Sequence, residues 1–137
     1  MPELCRQPRI FVVDDESTIA STTAMILCHY GFDAVFFTAP LEALQAARLR
    51  APDLLVSDVV MPHLSGIELA IQMKVCCPDC RVLLFSGQAN TNNMLDTARA
   101  EGHHFDLLSK PVFPEALLIK IRSLIDGSSP RSNALAF

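Results

Sequence analysis

The chain has 137 residues, 15 acidic against 11 basic side chains and a formal net charge of −4, which fits one compact domain and argues against a second. Half of its residues are apolar, and a chain of this size buries roughly 70% of its unfolded surface, so neither disulfides nor a structural metal are needed to fold it. Its apolar runs are far shorter than the ~20 residues that cross a bilayer, the first residues show no signal-peptide pattern, and scattered Lys and Arg form no basic stripe. A cytoplasmic protein with no membrane insertion and no direct nucleic-acid contact is therefore expected, with another protein as partner.

In chain order, Arg9-Ile10-Phe11-Val12-Val13 is β-rich and apolar without alternation, as in a strand covered on both faces, and it stops at Asp14-Asp15. From Glu16 onward Ile19, Ala20, Thr23, Ala24, Ile26, Leu27 and Tyr30 recur at helical spacing. Cys28 falls on the apolar side, where a core position is expected, and Gly31 supplies a stop. Residues 34–37 predict a second strand, followed by Thr38, and Pro40 opens a helix carrying Leu41, Ala43, Leu44, Ala47 and Leu49. Asp53-Leu54-Leu55-Val56-Ser57 is a third strand ending at Asp58. After the turn Met61-Pro62-His63-Leu64-Ser65-Gly66, a helix is expected over 67–75 and a fourth strand over 81–85, reaching Ser86-Gly87. The polar segment 88–93 reads as a mobile loop entering a helix over 94–100 that stops at Gly102. Residues 105–109 predict a fifth strand before Lys110-Pro111, and 114–125 a last helix with Leu117, Leu118, Ile121, Leu124 and Ile125 as its apolar stripe.

This alternation specifies a doubly wound α/β domain, a five-stranded parallel sheet with helices on both faces, over residues 8–126. Residues 127–137 read as a disordered tail with no room for an output domain after them. An odd count of five cysteines without a secretory signal argues for reduced thiols. Cys77-Pro78-Asp79-Cys80 has redox-motif spacing and Cys76 adds a third soft ligand. A closed zinc site needs a fourth, however, and a redox pair usually opens a helix rather than preceding a strand, so a Pro-containing turn is expected. His29, His63, His103 and His104 are scattered and form no ligand pattern.

Ligands in an open parallel sheet bind outside the carboxyl ends of the strands. That rule gathers Asp14 and Asp15 from the first strand, Asp58 from the third, Ser86 from the fourth and Lys110 from the fifth. Singly, each has a plain structural reading: a helix cap for the acidic pair, turn or loop residues for Asp58 and Ser86, a solvent-facing lysine at a strand-to-helix junction. Together, three carboxylates repel one another unless a cation sits among them, and an all-oxygen site suits Mg²⁺. A lysine and a hydroxyl facing that cation suit a phosphoryl group.

In these motifs, Asp14-Asp15, Asp58 followed by Met61-Pro62 and Gly66, Ser86-Gly87 and Lys110-Pro111, the sequence resembles the receiver domain of two-component response regulators, stand-alone and chemotaxis-regulator-like. The resemblance implies a flavodoxin-like sheet of order 2-1-3-4-5. It further implies that Asp58 is the phosphoacceptor for a phosphohistidine on a histidine kinase or phosphotransfer protein. Asp14, Asp15, Asp58 and the backbone carbonyl of Val60 would hold Mg²⁺, and Ser86, Gly87 and Lys110 would bind the phosphoryl oxygens, Lys110 pairing with the carboxylates beforehand. A downstream protein would dock on helix 4, strand 5 and helix 5. The family's switch aromatic, three residues before the lysine, is replaced by Leu107, for which Phe105 on the same strand face is the candidate substitute beside Ser86. Val59 and Val60, with Gly87 and Gln88, occupy positions that in the family gate water access to the acyl phosphate. Two other readings stand beside a phosphorylation-switched module that catalyses only its own phosphorylation and dephosphorylation. One is a receiver-shaped scaffold that is never phosphorylated, against which the intact pocket speaks and which Leu107 keeps open; the other is an aspartyl phosphatase, which would want a second acid where Val60 stands.

Overall fold

The computed structural model describes residues 7–87, 91–103 and 105–126. Strands β1 Arg9–Val13, β2 Asp33–Phe37, β3 Leu54–Asp58, β4 Arg81–Ser86 and β5 Asp106–Ser109 alternate with helices α1 Ser17–His29, α2 Pro40–Leu49, α3 Gly66–Cys76, α4 Thr91–Ala100 and α5 Pro114–Ile125. Every neighbouring pair of strands is parallel, and the order is β2-β1-β3-β4-β5, so strand order reverses between β1 and β3. The expected doubly wound α/β fold is the observed one.

Because the sheet is covered on both sides, successive residues of one strand feed two different cores. Phe11, Val13, Leu55, Val82 and Leu84 face Ala43, Leu44, Leu69, Met73 and Leu95 of α2, α3 and α4. Ile10, Val12, Leu54, Val56 and Leu83 face Ala20, Leu27, Leu117 and Ile121 of α1 and α5. This explains the apolar runs without alternation in β1 and β3. The helix ends follow local chemistry as well. Pro40 and Pro114 occupy the first turns of α2 and α5, where a missing N–H costs nothing. Ser65 caps α3 by accepting a hydrogen bond from the Glu68 N–H at 3.1 Å.

Several expectations are corrected. Cys28 is exposed rather than core, because the inward row of α1 is Ala20, Ala24 and Leu27 and Cys28 lies a further ~100° around the helix. Leu41 and Leu49 lie outside the buried row of α2, and Leu49 is 91% exposed in its last turn. α4 begins at Thr91, so Thr91, Asn92 and Asn93 belong to a helix and not to a loop; their polarity matches a surface helix as well as it matches a loop. β5 begins at Asp106, one residue after Phe105. Residues 88–90, His104 and the expected tail 127–137 lie outside the described residues. No helix among the described residues is long and apolar enough to cross a membrane.

Candidate functional site

The carboxyl edge of the sheet is extended one residue beyond its strands by backbone hydrogen bonds. The Asp14 N–H donates to the Phe37 carbonyl at 3.2 Å, the Val59 N–H to the Phe85 carbonyl at 3.0 Å and the Lys110 N–H to the Ser86 carbonyl at 3.0 Å. These bonds hold the residue that leaves β1 to β2, and those that leave β3 and β5 to β4, before any side chain is considered. Asp14 and Asp58 are 4% and 8% exposed, whereas Asp15 is exposed. One carboxylate oxygen from each of the three lies within 4.8 Å of the others. Lys110 reaches over this cluster, its Nζ 3.0 Å from Asp58 Oδ2.

The electrostatics fit the geometry. Burial, together with the charges of Asp58 and Asp15, pushes the Asp14 carboxyl above its ordinary value, against the opposing Glu16 N–H and Lys110. The Glu16 N–H donates to Asp14 Oδ1 at 2.9 Å. The pair does not act as a helix cap: the capping position of α1 is Glu16, which makes no side-chain cap bond. Buried carboxylates crowded in this way fit a hard divalent cation with oxygen ligands, whose charge would relieve their repulsion.

Backbone contacts around Asp58 add one residue that sequence reasoning did not single out, Ser57, and give Gly66 of the motif a physical role. Ser57 Oγ is buried and donates to the Asp58 carbonyl at 2.9 Å, with Met61 Sδ at 4.0 Å. A Cβ placed on Gly66 would overlap that same carbonyl oxygen, so α3 starts directly against the phosphoacceptor candidate's backbone. The Gly66 N–H also donates to the Val59 carbonyl at 2.8 Å. The signal for Ser57 was its hydroxyl directly after the apolar run Leu54-Leu55-Val56, within a strand covered on both faces. On the other side, a Cβ at Gly87 would come 3.1 Å from Lys110 Cδ, so glycine there makes room for the lysine stem. A cavity of about 220 Å³ between α1 and the start of α5 opens beside Asp14 and Lys110, walled by Ile19, Thr23 and Pro111.

The other candidates are distributed around this centre. Ser86 is half-buried at the end of β4, paired in register with Ser109. Of the two valines, Val59 is wholly buried in the core and Val60 is 51% exposed. Phe105 and Leu107 are both half-buried against the α2–α4 core, as expected of residues two apart, and the Phe105 ring stacks on His103 at a 6.2 Å centroid distance.

A profile of the response regulator receiver domain matches residues 10–122. The chain belongs to the response regulator receiver domain family. Response regulator MprA of Mycobacterium avium (strain 104) is 29% identical over 126 residues, which is 92% of this chain and 54% of that protein. The chain thus spans about half the length of the curated relatives it matches. A receiver domain protein of Clostridium thermocellum superposes with a TM-score of 0.77 at 29% identity, covering 93% of this chain and 98% of that one. A CheY-like receiver domain protein of Methanospirillum hungatei JF-1 superposes at 0.80 with 25% identity, covering 92% and 99%. In this receiver domain the acidic cluster, Ser86 and Lys110 therefore sit at the topological switch edge, where the fold binds ligands.

Proposed function

We propose that this receiver domain is a phosphorylation-switched binding module of a two-component phosphorelay, with Asp58 as its phosphoacceptor. The observation that carries the reading is the 3.0 Å pairing of Lys110 Nζ with Asp58 Oδ2 over a cluster of three carboxylates. An Asp58 oxygen attacks the phosphorus of a phosphohistidine on a histidine kinase or phosphotransfer protein. The new O–P bond forms as the P–N bond breaks, and the electron pair returns to the imidazole. Lys110 moves from the carboxylate to a phosphoryl oxygen, and Ser86 with the Gly87 backbone donates to another. Asp14, Asp15, Asp58 and the Val60 carbonyl would hold Mg²⁺, which neutralises charge on the transferring group.

The module catalyses its own phosphorylation and dephosphorylation only; Val60 stands where an aspartyl phosphatase would need a second acid. Its output is a changed affinity for a downstream protein on α4, β5 and α5, without direct nucleic-acid contact. Incubation with a small phosphodonor and Mg²⁺, followed by intact mass, tests the reading: one phosphoryl group should add to the protein and none to Asp58→Ala. An adduct that persists in Asp58→Ala refutes the assignment. No adduct on the unaltered chain favours the constitutive scaffold, the reading to which Leu107 in place of an aromatic points.

A further inference from the structure

Cys76 and Cys77 lie at the end of α3, far from the acidic cluster. Gly66, the first residue of the helix, abuts Asp58, and Cys76 is its eleventh, about 15 Å further along the axis. Adjacent residues within a helix do not face each other. Here the chain leaves the helix at Cys77, whose backbone has φ −135° and ψ 79°, and this turns the second side chain back toward the first. The two sulfurs end 3.6 Å apart. Cys76 is exposed and Cys77 is 6% exposed, so one thiol meets solvent and the other stands behind it.

Three uses of such a pair are separable by distance. A disulfide normally spans Cα atoms ~4.4–6.8 Å apart, and neighbouring residues across a trans peptide are held at about 3.8 Å, so direct oxidation is disfavoured. A linear two-coordinate cation with bonds of ~2.3 Å would hold its sulfurs about 4.6 Å apart. A pyramidal or tetrahedral centre with the same bonds and a 3.6 Å bite has an S–X–S angle of about 103°. Zinc would want further protein ligands. Among the described residues the only group of three ligating side chains is the aspartate cluster, so Cys80 does not complete a three-sulfur site.

We propose that Cys76 and Cys77 form a bidentate thiol clamp for a trivalent metalloid, arsenous acid or an organoarsenical. The condensation balances without an oxidant: As(OH)₃ and two thiols give (RS)₂As–OH and two waters, with two As–O bonds broken, two As–S bonds formed and each thiol proton leaving in water. Burial, with the neighbouring thiol, pushes Cys77 up to about 11. That opposes capture of a cation by thiolates but not condensation of a neutral acid with thiols. Loading removes the Cys77 S–H proton and with it the bond that this thiol donates to the Ala47 carbonyl, 3.9 Å away on α2.

The test is intact mass of the reduced full chain under native conditions after incubation with phenylarsine oxide. One adduct per chain is expected, removable by a dithiol but not by an equal thiol concentration of glutathione. Cys76→Ser, at an exposed position, should weaken binding on the order of a hundredfold by removing the second attachment, while Cys28→Ser leaves it unchanged. An adduct of undiminished affinity in Cys76→Ser, or one lost in Cys28→Ser, overturns the proposal. Asp58→Ala should load as the unaltered chain does, so this outcome is independent of the phosphoacceptor assignment.

Discussion

Replacing Gly66 by Ala tests whether the first turn of α3 sets the position of Asp58. The added Cβ would overlap the Asp58 carbonyl oxygen and come 2.9 Å from its carbonyl carbon, with Ser57 Oγ at 3.1 Å. Ordinary carbon–carbon contact begins at about 3.5 Å, so the carbon contact alone is short by about 0.6 Å, and the oxygen contact asks for more. Neither group is the free end of a flexible side chain. The carbonyl is also the acceptor for Ser57 Oγ at 2.9 Å, and the Gly66 N–H is bonded to Val59 at 2.8 Å. Relief therefore comes from moving the backbone of Asp58 or the start of α3.

A shift approaching 1 Å at a nucleophile costs on the order of a hundredfold in rate, whereas overpacking by one methyl costs about 1–3 kcal/mol of stability. The two effects separate in one experiment. Single-turnover phosphorylation by a small donor, followed by intact mass at saturating Mg²⁺, should be about a hundredfold slower in Gly66→Ala, while circular dichroism below the melting transition stays that of the folded domain. A variant that melts earlier yet is phosphorylated at the unaltered rate would refute the argument and leave Gly66 a packing residue alone.

Further outcomes follow from the same site. The Asp14 carboxyl lies above its ordinary 3.8 in the folded protein, chiefly through burial. Its contribution to stability is therefore present below 3.8 and is lost as pH rises through the folded value. Asp14→Asn should accordingly remove this loss of metal-free stability above pH 3.8 and abolish the rise in melting temperature expected on adding Mg²⁺; equal pH slopes in the two proteins would contradict this. Replacing Cys76, Cys77 and Cys80 by Ser should leave phosphoryl uptake unchanged while lowering stability by about 1–3 kcal/mol, since Cys77 and Cys80 are buried. Loss of phosphorylation in a folded triple variant would tie the thiols to the site. Beryllofluoride with Mg²⁺ should change amide exchange across α4 and β5, with a partner preference of about tenfold for the modified form. Changes confined to the pocket would count against that route of output.

The sequence made the sheet and the site edge legible because both depend on short-range chemistry. The unalternating runs 10–13 and 54–56, short and bounded by polar residues, fit strands covered twice, and each polar residue that ends a strand marks the same edge of a parallel sheet. Side-chain direction around a helix was less legible where an apolar residue sits beside the buried row, as Cys28 does: periodicity counts spacing, while exposure depends on which neighbour the helix meets. The start of α4 at Thr91 was hidden because a polar surface helix and a polar loop have the same composition. The contacts that hold Asp58 were hidden for a different reason. Ser57 and Gly66 act on a carbonyl, and a backbone group has no letter in the sequence. A hydroxyl in a doubly covered strand and a glycine opening a helix are the only residues of that arrangement that composition can show. Their common target is the peptide of the proposed nucleophile, so its position is set from the backbone side, by groups outside the acidic cluster and Lys110. Gly66→Ala moves that peptide while leaving every carboxylate, hydroxyl and ammonium of the site in the chain.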